Sequence, residues 1–144
     1  MANFDSSLYT AQASGLSQTP TPQAAGQCLV AYASVAVTDQ LASADLIRFF
    51  YLPKNAKIVH AVLRATDLDT DGTPAITIDV GWSGSAAGLF SNSTVGQAGT
   101  TDTNCIGNGS SFTDETLIYG TVDTVADVKA AGTVYLTVFY TLEA

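Results

Sequence analysis

The chain has 144 residues, of which 47% are apolar and only 12% charged, against an ordinary charged share of about 25%. That length suits one domain with a core that needs no disulfide or metal staple. The formal charge is −8, and the five basic residues (Arg48, Lys54, Lys57, Arg64 and Lys129) form no patch, which argues against nucleic acid or an anionic membrane surface as a partner.

The start, MANFDSSLYTAQ, is polar and lacks the positive segment of a secretory signal. No apolar run approaches membrane-spanning length, so synthesis in a cytoplasm is expected. Residues 1–26 form a regime of their own, rich in Ser, Thr, Gln and Ala, with Asp5 as the one charge. Thr19-Pro20-Thr21-Pro22 favours extended backbone, because a residue before proline avoids the α region. Phe4, Leu8, Tyr9 and Leu16 are the anchors this segment offers. Two readings stand: a disordered tail, or an extended N-terminal arm that orders along a neighbouring subunit. Low charge and the scattered large apolar anchors keep the arm open beside the tail, since solvating tails usually carry more charge.

The β domain is expected over residues 27–144. Residues 27–38, QCLVAYASVAVT, read as its first strand, with Cys28, Val30, Tyr32, Ser34 and Ala36 on one face and Leu29, Ala31, Ala33, Val35 and Val37 on the other. Both faces are fairly apolar, which fits a central or an intersubunit strand. DQLASAD makes a turn, and LIRFFYL (46–52) is the next strand, closed by Pro53-Lys54-Asn55-Ala56.

Residues 57–82, KIVHAVLRATDLDTDGTPAITIDVGW, contain two alternating stretches around a polar connector. The simplest reading is an antiparallel hairpin turning at Asp71-Gly72. The following Gly- and Ser-rich stretch to residue 115 is expected to hold a short helix or 3₁₀ turn near 86–90, short edge strands and an excursion at one end of the domain. TLIYGTV (116–122) and TVYLTVFYTL (133–142) are the last strands, with a polar turn at 123–129 between them. So strongly patterned a terminal strand belongs inside a sheet. Six or more strands with almost no helical periodicity predict an all-β, antiparallel β-sandwich, jelly-roll-like in topology.

Chemistry is sparse. Asp67-Leu68-Asp69-Thr70-Asp71-Gly72 matches the start of a calcium loop, but position twelve is Ile78 rather than Glu. A solvated turn with aspartates capping their own backbone is the expected role. His60 is the only histidine and sits at a strand position. Neither Cys28 nor Cys105 has the spacing of a zinc or redox motif; two buried free thiols are expected, with one long-range disulfide as the alternative. Asp79, among apolar neighbours, suits a sheet hydrogen bond or a partner contact. Trp82 with Tyr51 or Tyr119 is a candidate carbohydrate platform, although a core tryptophan closing a hairpin is the simpler role. The thirteen acidic residues single out no catalytic pair, and no Gly-rich phosphate loop occurs. No catalytic, cofactor-binding or metal residues are therefore expected, and no enzyme.

The order FFYLPKNAKIVHAVLRATDLDTDGTPAITIDVG, followed by a Gly/Ser/Ala stretch with Leu89-Phe90 and residues 94–99, resembles small structural proteins from the head gene clusters of tailed bacteriophages, including capsid decoration (cement) proteins. The resemblance spans roughly residues 46–100, and its motifs are structural. It implies a β-sandwich or jelly roll that forms trimers or other small homo-oligomers and sits on the major capsid protein at the virion surface. A head-completion, tail or fibre-associated protein, or a carbohydrate-binding module, is the alternative.

Overall fold

A computed structural model describes residues 27–143. The expected arm, residues 1–26, and Ala144 lie outside the described residues. Among the described residues there are eight strands: β1 (Leu29–Val37), β2 (Leu46–Leu52), β3 (Ala56–Ala65), β4 (Thr77–Trp82), β5 (Ser85–Ser93), β6 (Thr101–Asp102), β7 (Thr116–Thr124) and β8 (Gly132–Leu142). They build two antiparallel sheets, ordered β1-β8-β3-β6 and β2-β7-β4-β5. Successive strands alternate between the sheets except at the β4–β5 hairpin, which is the connectivity of an eight-stranded jelly roll. The sandwich expected from the alternating pattern is confirmed, and the last strand lies inside its sheet, between β1 and β3.

The core is the sum of the inward parities. Ile78 and Val80 from β4, Ile118 and Val122 from β7, and Val134, Leu136 and Val138 from β8 are all buried, joined by Leu89 and Phe90 from β5. Bulges in β2 and β3 break the simple alternation of those strands. In β2 the register against β7 shifts between Arg48 and Phe50, so Ile47 and Leu52, of opposite parity, are both buried. In β3 the register against β8 shifts between Ile58 and His60, which places Ala56 and Ile58 inward and then Ala61, Leu63 and Ala65. Each bulge lets one strand keep its apolar residues inside while it curves around the core.

The hairpin expected over 57–82 does not form. β3 pairs with β8 and β6, whereas β4 pairs with β5 and β7 in the opposite sheet. The connector between them is not a solvated turn throughout, because Leu68, Asp69 and Ile76 are buried. It is stitched to distant chain instead. Leu68 N–H donates to Gly96 O (2.8 Å), Thr70 N–H to Val128 O (3.0 Å), and Ala130 N–H to Leu68 O (3.0 Å).

The tight hairpin lies one step later, joining β4 and β5, with Trp82 opposite Ser85 across a turn in which Gly84 has φ +92°. Residues 86–90, expected as a helical turn, belong to β5, and the 3₁₀ turn is at Val95–Gln97. The Gly-rich stretch is no excursion. It supplies β5 and the short edge strand β6, then returns along β3, where Ile58 N–H donates to Ser110 O (2.8 Å) and Phe112 N–H to Ala56 O (3.0 Å). Both cysteines are free thiols, but Cys28 is exposed and Cys105 half-buried, so the expectation of two buried thiols fails. Cys28 precedes β1 rather than sitting inside it.

Candidate interaction surface

The three aspartates expected to form a calcium-like turn act on the backbone. Asp67 Oδ1 accepts the N–H of Asp69 (3.1 Å), and Asp71 Oδ2 that of Thr73 (3.3 Å). Asp69, only 1% exposed, accepts three: Oδ1 from Asp71 (3.3 Å), and Oδ2 from Ala75 (2.7 Å) and Ile76 (3.0 Å). Burial pushes this carboxyl up, but the N–H groups of Ala75, Ile76 and Asp71 together outweigh it and hold it below the ordinary range. The carboxylate thus replaces the sheet pairing that a chain crossing between layers gives up. Among the described residues, no group of three or more His, Cys, Asp or Glu side chains is placed to hold a metal ion.

The other singled-out polar residues also have structural partners. Asp79 Oδ1 accepts the N–H of Asn92 (2.6 Å), pinning β4 to β5 where Asn92 takes φ +51°. His60 stacks on Phe139, with centroids 6.5 Å apart and 19° between the planes.

Trp82 is half-buried. It meets Phe112 edge-on at 5.0 Å and covers Gly88, where a Cβ would fall 2.5 Å from the indole. It closes the β4–β5 hairpin rather than the one expected. A cleft of about 400 Å³ beside it is lined by Trp82, Phe112, Asp114, Glu115 and Tyr119 among others, so the structure brings Trp82 and Tyr119 together. Tyr51 is not part of that lining.

The outer face of the first sheet joins residues that sequence reasoning had only in part: it put Val30 and Tyr32 on one face of a central or intersubunit strand, but β1 is an edge strand and its neighbours across the sheet were missed. The register sets Val30 beside Phe139 and Phe139 beside His60; the next rows are Tyr32, Thr137, Val62 and Ser34, Tyr135, Arg64. Val30 is 56% exposed, Tyr32 62% and Val59 44%. Arg64 lies over the Tyr135 ring at 4.2 Å and Lys57 pairs with Glu143 at 3.2 Å, so the charges sit to the side of an apolar middle. The signal was present as two apolar parities in residues 29–37 and aromatic residues on the outer parity of 133–142. Only strand pairing shows that they form one surface. The arrangement offers shape and apolar area rather than a reacting group.

No protein-family model and no curated protein matches the chain. Solved structures do. A chain of the cyanophage Pam1 capsid asymmetric unit is 38% identical, with a TM-score of 0.72, covering 81% of this chain and 86% of that one. A chain of the capsid of Ralstonia phage GP4 is 32% identical, with a TM-score of 0.73, covering 90% of this chain and 94% of that one. A chain of the acid-stable capsid of Helicobacter pylori bacteriophage KHP30 is 14% identical at a TM-score of 0.55, and shares the fold. With a jelly roll and two relatives of this identity spanning nearly their full length, the chain belongs to the family of phage capsid-associated structural proteins found in the Pam1 and GP4 capsids.

Proposed function

We propose that this protein is a non-enzymatic decoration protein that binds the outer surface of a phage capsid and stabilises contacts between major capsid subunits. The observation that carries the reading is the apolar outer face of the first sheet, where Val30, Tyr32 and Val59 stand exposed on a rigid sandwich. Such a face gains free energy only by being covered, at about 25 cal/mol per Å² of apolar area. A surface this poor in charge docks without stripping water from many ions. The protein acts as a homotrimer, which repeats each weak contact and gains avidity. Residues 1–26 serve as an extended arm reaching a neighbouring subunit.

The test is to add the purified protein to capsids that lack it and to follow co-sedimentation. Decoration predicts saturable binding at a fixed copy number, spread over the shell. Binding confined to a vertex or tail would instead assign a head-completion or tail role. The cleft beside Trp82 favours one second reading, glycan binding. That reading predicts quenching of Trp82 fluorescence by soluble glycans, and decoration predicts none.

A further inference from the structure

The four strand edges of the sandwich are protected unequally. β6 is two residues long, and β5 carries register shifts against β4 and a positive φ at Asn92. β2 is bulged and carries Arg48. These are the usual devices that keep a sheet edge from templating another chain. β1 has none of them. Its nine residues, LVAYASVAV, contain no charge, Pro or Gly, and it pairs with β8 in unbroken register from Leu29 to Val37. Among the described residues its other edge pairs with no strand. Its inward residues Ala31, Val35 and Val37 pack on the core yet stay half-exposed, because no strand lies beyond them. An uncovered apolar edge of this length is a ready template for pairing with another chain.

The chain that leads into β1 has the composition to do so. Residues 1–26 carry one charge, and fully extended they reach up to about 85 Å. Pro20 and Pro22 have no N–H to donate, which confines any ladder to residues 1–19. Folding back onto its own β1 would leave residues 20–28 as the connection, longer than the two to five residues of ordinary hairpins. Thr19-Pro20-Thr21-Pro22, whose residues before proline disfavour the α region, also disfavours a tight turn back onto β1.

We propose that the free edge of β1 receives residues 1–19 of a second copy of this chain, added as a fifth strand of the first sheet. The main chain supplies affinity through ladder hydrogen bonds, and large side chains such as Phe4, Leu8 and Tyr9 pack beside Val30 and Tyr32 on one face or the half-covered Ala31 and Val35 on the other. The inference rests on the reading that copies of the chain assemble together on a particle. It gives that assembly a strand exchange as its lock.

The experiment places a photo-crosslinking phenylalanine analogue at Tyr32 in the full chain and, in a second variant, at Ser34, with folding checked by circular dichroism. Irradiation of the purified protein is expected to give covalent dimers whose joined peptides link β1 of one chain to residues 1–19 of another. In hydrogen exchange, outward amides of β1 are expected to slow about tenfold when dilute protein is concentrated into the oligomer. Cross-links to residues 1–19 that stay within monomers, cross-links from β1 to any other segment, or cross-links formed only to the major capsid protein on particles would each overturn the exchange. Capsid binding is scored separately on the unsubstituted protein, because Tyr32 and Ser34 lie on the face proposed to meet the capsid. Binding without the dimers sinks the exchange alone, and dimers without binding sink the decoration reading alone.

Discussion

Asp69 shows how much one side chain contributes when it replaces backbone pairing. Truncation in Asp69→Ala leaves three N–H groups without their acceptor, one of them the buried Ile76 amide, and is expected to cost about 3 kcal/mol in denaturant unfolding. The pH dependence has a definite sign. The native carboxyl titrates below its ordinary value, so the unfolded chain binds the proton first as pH falls. Its contribution is therefore complete above the unfolded pKa of about 4 and is lost as pH drops through the native value. Wild type should lose stability below about pH 4 more steeply than Asp69→Asn, measured by unfolding at stepped pH. Gly88→Ala tests the aromatic end. The added methyl meets the Trp82 ring at 2.5 Å, and the expected result is a loss of about 2 kcal/mol with red-shifted tryptophan emission. The sequence marked Asp67, Asp69 and Asp71 as a unit, and turn chemistry was the right reading of their spacing. That Asp69 would be buried was not legible, since burial comes from residues 96 and 128–130, far along the chain.

At the scale of elements, the long strands other than β5 were visible in the alternation, because half-buried strands must repeat every two residues. Partners were less visible. Proximity in sequence favoured β3 with β4, yet a jelly roll places consecutive strands in opposite layers, and nothing local encodes that choice. The β4–β5 hairpin hid behind glycines and serines that resemble loop, although Ser83-Gly84 is an ordinary two-residue turn. Bulges explain why neither parity of 46–52 or 56–65 could be assigned inward as a whole. Core positions on both sides of a bulge should respond alike. Ile58→Ala and Leu63→Ala are each expected to cost about 3 kcal/mol, whereas Val59→Ala, on the outer face, should change stability by less than about 1 kcal/mol. Equilibrium unfolding in urea checks all three.

For the whole molecule, the proposed role rests on surface: an outer sheet face with exposed Val30, Tyr32 and Val59. Its apolar outer face and scarcity of charge predict that capsid association depends little on ionic strength, falling by less than about threefold as salt rises roughly tenfold. Removal of residues 1–26 is expected to leave a folded jelly roll, since residues within 27–143 already bury a core shared by both sheets, and to abolish decoration. The contact face could not be read from sequence, because it exists only once β1, β8 and β3 lie side by side. The class of fold could, because low helical periodicity and period-two patterning left few alternatives.

The decisive observation is an image reconstruction of capsids with and without the protein. Density for the jelly roll is expected on the outside of the shell, at many equivalent positions between major capsid subunits, with the face of Val30, Tyr32 and Val59 covered. Density only at a single vertex, within the tail or on the inner surface, or a shell position that leaves this face open to solvent, would contradict it.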